Sequence, residues 1–148
     1  MSRRYKKKGP VRSKKVVYDG ITFQSSLEKY MYIVLKEAGI KAKYEGTTYE
    51  LIPSFNYDKS VYERQANGKG EYKDRGNKKI LNIKYTPDFI GDDFIIECKG
   101  RPNESFPLRW KLFKLYLWHT KTEVTLYKPQ NKKECEETVS LILGKRKT

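Results

Sequence analysis

Tyr85-Thr86-Pro87-Asp88-Phe89-Ile90-Gly91-Asp92-Asp93-Phe94-Ile95-Ile96-Glu97-Cys98-Lys99 is the stretch on which the reading of the fold turns. Side chains alternate along a strand. In Phe94–Lys99, Ile95, Glu97 and Lys99 therefore share one face, and Phe94, Ile96 and Cys98 the other. The apolar run at its start predicts burial on both faces. Upstream, Ile80–Ile90 reads as a partner strand. Pro87 inside it has no N–H to give to a ladder and marks an edge or a local irregularity. With Gly91-Asp92 as a two-residue turn, glycine first, Ile90 faces Asp93 and Asp88 faces Ile95. Asp88 then lies diagonal to Glu97 on the same face, roughly 7–8 Å away at the backbone. A three-residue loop would put Asp88 on the opposite face, unless Pro87 introduces a bulge.

Two carboxylates and an ammonium converging at a strand end form a site for a hard divalent cation, which takes oxygen ligands. Such an ion polarises a phosphoryl oxygen and acidifies a bound water. A structural reading fits the same spacing, with Asp88 as the turn residue after Pro87 and Glu97 paired with Lys99. Cys98 falls on the core face as a small buried hydrophobe.

Outward from this hairpin, Val16–Phe23 carries Asp19-Gly20 and reads as a short hairpin or an extended lead-in. A helix is predicted from Ser26 to Ala38, with Leu27, Met31, Val34 and Leu35 at helical spacing and Gly39 past its last turn. Ser25-x-x-Glu28 has the form of a capping box, in which Glu28 folds back to the Ser25 amide. Thr47–Ile52 reads as a strand ended by Pro53. Residues 54–78 are polar, with Asn67-Gly68, Gly70 and Gly76-Asn77, and read as a long loop or an extended hairpin. A helix from Pro107 to His119 is expected to turn Leu108, Leu112, Leu115 and Tyr116 inward, with Trp110 and Trp118 packed. His119 ends that helix, where the dipole favours a structural role. Thr122–Lys128 reads as a strand, and Lys132–Leu143 as a helix capped by Asn131 and stopped by Gly144. This order predicts an α/β fold with a mixed central β-sheet flanked by helices.

Pro87-Asp88, eight intervening residues and Glu97-Cys98-Lys99 resemble the signature of the PD-(D/E)XK, or restriction-endonuclease-like, nuclease superfamily. Members usually carry an acid on the first core helix, and Phe23-Gln24-Ser25-Ser26-Leu27-Glu28 resembles that element. Tyr85-Thr86-Pro87-Asp88-Phe89 and Glu97-Cys98-Lys99-Gly100 are similar to segments of the junction-resolving phage endonucleases in this superfamily. Tyr18-Asp19-Gly20-Ile21-Thr22-Phe23 is similar to its small phage-encoded members. The resemblance spans roughly residues 16–128 and leaves 54–78 without a counterpart. It implies a restriction-endonuclease-like core that hydrolyses DNA phosphodiesters with Mg²⁺, Mn²⁺ being a substitute. Asp88, Glu97 and Glu28 would be the metal ligands, and Lys99 the catalytic lysine. It further implies branched DNA, such as a four-way junction, as substrate. Two cuts related by a two-fold axis would then call for a homodimer. The first helix and the lead-in are the candidate interface, unless Val16, Val17, Ile21 and Phe23 complete the monomer's own core.

Composition sets the outer limits. The 148 residues suffice for one domain. No stretch approaches the ~20 apolar residues of a membrane helix. Cys98 and Cys135 make neither a disulfide framework nor a zinc site, and no apolar run of a signal peptide follows the basic start. These features argue against a disulfide scaffold, a membrane protein, a haem protein and a secreted enzyme. The expected setting is a reducing cytoplasm, that of the host if the chain is phage-encoded. The net charge of +14 is uneven. Residues 1–18 hold Arg3, Arg4, Lys6, Lys7, Lys8, Arg12, Lys14 and Lys15 and no acid, and the last four hold Lys145, Arg146 and Lys147. Taking these eight and three from +14 leaves +3 for residues 19–144. The expected organisation is a basic tail over 1–15, one nuclease domain over 16–144 and a basic tail over 145–148. Such tails suit a polyanion, so DNA is the expected partner, with no membrane. Arg101, Arg109, Lys111 and Lys114 are expected to form a phosphate track or a solvated face. The 12 tyrosines suit either a core or a stacking surface. Two rivals stay open: a nuclease indifferent to DNA structure, and a non-catalytic basic nucleic-acid-binding protein.

Overall fold

The computed structural model describes residues 14–100 and 105–147. Along the chain run β1 (Val16–Tyr18), β2 (Ile21–Phe23), α1 (Ser26–Glu37), β3 (Lys43–Tyr44), β4 (Tyr49–Ile52), β5 (Phe55–Tyr57) and β6 (Tyr62–Glu63). There follow β7 (Lys73–Asp74), β8 (Lys78–Ile80), β9 (Ile83–Tyr85), β10 (Phe89–Ile90), β11 (Phe94–Ile96), α2 (Phe106–His119), β12 (Thr125–Tyr127) and α3 (Lys132–Arg146). The fold is mixed α/β, with helices and several small sheets. Among the described residues no helix is long and apolar enough to cross a membrane. The chain divides into two compact units. One comprises residues 14–46, 88–100 and 124–147, the other 47–87 and 105–123.

The first unit holds a four-stranded sheet in the order β12-β11-β10-β3. β11 and β12 are parallel, and the other pairs antiparallel. Helices α1 and α3 pack on each other. Phe23, Met31, Leu35, Phe89, Phe94, Ile96 and Ile142 meet in one apolar core. Asp19 (φ 53°) and Gly20 (φ 74°) are both left-handed, as a type I′ turn requires, and they close the β1–β2 hairpin. Phe23 is fully buried and Ile21 packs on the core, whereas Val17 is exposed. In α3, Asn131 caps the Glu134 N–H at 2.9 Å as expected. The helix nevertheless runs through Gly144 to Arg146. A helical glycine costs only ~1 kcal/mol, and tertiary bonds hold the last turn. Lys145 donates to the Thr125 hydroxyl, and Arg146 lies 3.4 Å from Asp93.

The β10–β11 turn lies one residue later than expected. Phe89 faces Ile96, Ile90 faces Ile95, and the Gly91 N–H donates to the Phe94 carbonyl at 2.9 Å. The turn residues are therefore Asp92 and Asp93. Glycine is needed at 91 for another reason: a Cβ there would lie 2.2 Å from the Phe94 ring. That ring is 1% exposed and cannot swing away. Gly91→Ala is expected to destabilise the protein by ~1–3 kcal/mol through overpacking, read as a lower urea midpoint. An unchanged midpoint would contradict this account.

In the second unit, β4 pairs with β9 across an irregularity between Glu50 and Ile52. Helix α2 packs on β4, with Tyr49 and Tyr85 against Phe113 at ring distances of 5.1 and 4.8 Å. The buried stripe of α2 is Phe106, Trp110, Phe113 and Leu117. This corrects the expected inward face: Leu108 and Leu115 are exposed, Leu112 and Tyr116 half-buried, and Trp118 exposed. Both stripes have helical period, and the aromatic one wins because Tyr49 and Tyr85 offer it rings to pack on. The single strand expected over Ile80–Ile90 is three pieces, β8, β9 and β10. Each pairs with different partners: β5, β4, and then β3 and β11. Pro87, fully buried and without an N–H, lies in the last break. Residues 54–78 take the extended-hairpin form, with β5 on β8 and β6 on β7.

Candidate functional site

The hairpin register sets up the site. Moving the turn by one residue shifts pairing by two, which preserves the face. One step beyond the Phe89–Ile96 pair, Asp88 stands opposite Glu97 instead of diagonal to it. Side chain and main chain tie the two strands together there. The Asp88 N–H donates to Glu97 Oε2 at 3.3 Å, and the Cys98 N–H donates to Asp88 Oδ2 at 2.7 Å. Beyond β11 the backbone stays extended alongside the other neighbour. The Glu97 N–H donates to the Tyr127 carbonyl at 2.9 Å and the Lys99 N–H to the Pro129 carbonyl at 3.1 Å. This alternation keeps Glu97 and Lys99 on one face and turns Cys98 into the core beside Cys135. The Cys98 thiol is pushed far above its ordinary value by its hydrogen bond with Cys135 and by burial. It is a packing group and no nucleophile.

Glu28 arrives from the first turn of α1. Ser25 caps the helix by accepting the Glu28 N–H at 3.2 Å. The reciprocal half of a capping box differs from expectation. The Glu28 carboxylate accepts the Ser25 hydroxyl at Oε2 (2.7 Å) and the Tyr44 hydroxyl at Oε1 (2.8 Å). Tyr44, on β3, in turn accepts the Gln24 N–H at 3.3 Å. Its phenol is pushed up by burial and by the bond to Glu28. No motif singles Tyr44 out in the sequence; only the β3–β10 pairing brings it to the site.

Three carboxyl groups thus meet, from a helix start and from the residues just before β10 and just after β11. Glu28 is 5% exposed, Asp88 8% and Glu97 8%. Burial, then the charge of Glu97, then that of Glu28, push the Asp88 carboxyl up to about 9, against the opposing Cys98 N–H. The side chain of Glu28 raises it further, so Asp88 favours its protonated form near neutrality. Three buried acids cannot all be ionised without a compensating positive charge. A proton retained on Asp88 would supply it, and a divalent cation would supply it equally. The donor set, all hard oxygen, fits Mg²⁺ or Mn²⁺. Among the described residues, no three His, Cys, Asp or Glu side chains stand ready as a metal-holding group. Their oxygens accept from the Ser25 and Tyr44 hydroxyls at Glu28, from the Cys98 N–H at Asp88 and from the Asp88 N–H at Glu97.

The remaining sequence-predicted site residues fall elsewhere. Lys99 is half-buried in the same unit as the cluster, two residues after Glu97. Lys14 and Lys15 are exposed at the start of the described chain. Arg109, Lys111 and Lys114 are exposed on α2, in the other unit, with Lys114 over the Trp110 ring at 5.8 Å. His119 is exposed and rests against Trp118. Arg3, Arg4, Lys6, Lys7, Lys8, Arg12 and Arg101 lie outside the described residues.

No curated protein and no solved structure matches the chain. Residues 6–132 match a family of proteins that extends over the whole carboxylate cluster, and on that match the chain belongs to the family described as protein of unknown function (DUF1064).

Proposed function

We propose that this protein is a metal-dependent DNA endonuclease that hydrolyses phosphodiester bonds, with branched DNA as its substrate and a restriction-endonuclease-like core around its site. The observation that carries the reading is the buried trio Glu28, Asp88 and Glu97. It is costly to a fold and needs a positive charge to be ionised, and Lys99 follows on the same face. Those three carboxylates would hold Mg²⁺, with Mn²⁺ as a substitute. Once bound, that ion polarises a phosphoryl oxygen and acidifies a water. Asp88, its carboxyl raised by burial and its acidic neighbours, would have to release a proton to join that ligand set. Tyr44 and Ser25 hold Glu28 in place through both carboxylate oxygens. The Cys98 N–H fixes the orientation of Asp88. Lys99 offsets the negative charge that grows on the phosphoryl oxygens. The net charge of +14 favours a polyanionic substrate, and two cuts in a four-way junction suit a two-fold homodimer.

Labelled plasmid and four-way junction DNA, incubated with the protein in Mg²⁺ or in EDTA, test the reading. Nicking in Mg²⁺ that EDTA abolishes is the expected result. Salt-sensitive retention of DNA without cleavage in any divalent ion would overturn it in favour of a non-catalytic binder. Equal cutting of junction and linear duplex would replace the branched-DNA assignment with a nuclease indifferent to structure.

A further inference from the structure

Residues 54–81 hold none of the three clustered carboxylates, and 54–78 have no counterpart in the nuclease resemblance. They form a double two-stranded ribbon. In its first part Phe55, Asn56 and Tyr57 face Ile80, Lys79 and Lys78; in its second, Tyr62 and Glu63 face Asp74 and Lys73. A ribbon with no buried face has little stability of its own, and this one is held in shape by polar bonds. Asp74 accepts the Val61 and Gly76 N–H groups at 3.0 and 2.9 Å, and Arg75 donates to the Glu63 and Glu71 carbonyls at 3.1 and 3.0 Å. At Gly76 two backbones pass so closely that a Cβ would lie 1.9 Å from the Lys59 carbonyl oxygen. The segment is therefore a shaped element.

What that shape presents outward is distinctive. Tyr62 and Tyr72 are 62% and 72% exposed, with ring centroids 6.4 Å apart. Lys69, Lys73, Lys78 and Lys79 are exposed along the same ribbon, Lys73 opposite Glu63 and Lys78 and Lys79 opposite Tyr57 and Asn56. Asp74 and Arg75, by contrast, are turned to the ribbon's own backbone. Large aromatic rings left in water call for a partner that covers them. We propose that the ribbon is a DNA-gripping arm, with its lysines on phosphates and Tyr62 and Tyr72 stacked on bases unpaired at a branch; the choice of DNA rests on the endonuclease reading. Ammonium groups bind phosphates without regard to sequence. Aromatic rings stack on any exposed base, and a two-stranded ribbon is slim enough to enter a DNA groove. A second copy of the ribbon is a poorer cover, because residues 54–81 carry seven cationic against four acidic side chains and would repel themselves.

The experiment uses the full chain in EDTA, with fluorescence anisotropy on a four-way junction and a linear duplex over a range of salt. Replacing Lys69, Lys73, Lys78 and Lys79 together by alanine is expected to weaken binding to both DNAs. The log–log salt slope should fall by about 0.9 for each phosphate that is no longer neutralised. Tyr62→Ala with Tyr72→Ala is expected to weaken junction binding about tenfold or more at an unchanged slope, with little effect on the duplex. Tyr62→Phe with Tyr72→Phe keeps the rings and should bind like the parent. Thermal melting of each variant separates loss of fold from loss of affinity. Binding of the lysine and alanine variants indistinguishable from the parent would overturn the arm. So would light scattering that shows the ribbon variants lose a dimer while keeping their DNA affinity. Cleavage by the parent is followed in parallel with Mg²⁺. Cleavage with unaltered variant binding overturns the arm alone. Weakened variant binding with no cleavage by the parent overturns the endonuclease reading alone and leaves the arm standing.

Discussion

Asp88→Asn and Glu97→Gln are expected to abolish Mg²⁺-dependent cleavage, by at least ~100-fold, while the protein stays folded and holds DNA as well as or better than the parent. The Asp88 change is mild for the fold. Near neutrality Asp88 already favours its protonated form and accepts the Cys98 N–H at one oxygen. An asparagine keeps both features: it is uncharged and its carbonyl accepts. What it cannot do is become an anion. Each variant also removes a negative charge from a site that would face phosphate, which favours retention of DNA. Glu28→Gln separates catalysis from capping. The helix cap is the Ser25 hydroxyl on the Glu28 amide, and this bond survives the change of side chain. Loss of cleavage is therefore expected with the cap intact, the melting temperature falling only by what the one hydroxyl bond that an amide nitrogen cannot accept contributes, ~1 kcal/mol. Full activity in the Asp88 and Glu97 variants would sink the nuclease reading, whatever the protein does with DNA.

Without divalent cation, the parent protein is expected to lose stability as pH rises through the neutral range. The Asp88 carboxyl sits at about 9 in the folded chain, against an ordinary value of 3.8. Between those values the folded state binds a proton that the unfolded state has released, so stability falls with pH by at most ~1.4 kcal/mol per unit from this group. The contribution is fully present below the ordinary value and is lost as pH climbs through the folded one. Other groups titrate in this range as well. The informative quantity is therefore the difference between the parent and Asp88→Asn, in melting temperature, at a series of pH values in EDTA. The variant should follow a flatter course. Added Mg²⁺ should raise the parent's melting temperature more at pH 8.5 than at pH 5.5, where the proton competes, and should leave the variant unmoved. Parallel pH courses for the two proteins would refute a proton retained on Asp88.

The local chemistry of this chain was written in its sequence. The α1 start at Ser25, the Asp19-Gly20 turn, the Asn131 cap and the burial of Phe94, Ile95 and Ile96 all follow from short-range rules, because backbone conformation and nearest-neighbour hydrogen bonds decide them. The shared face of Asp88 and Glu97 was legible too, since strand alternation fixes face by parity. Partners distant in the chain were not. Which stripe of α2 is buried depended on rings supplied by Tyr49 and Tyr85. The division of Ile80–Ile90 depended on three different neighbours, and the run of α3 past Gly144 on Thr125 and Asp93. The site divides in the same way. Sequence put acids at 28, 88 and 97. Only tertiary structure put them in one buried cluster, with Tyr44 on Glu28 and the Asp88 carboxyl pushed up, because mutual repulsion and loss of water arise only when residues far apart in the chain are brought together.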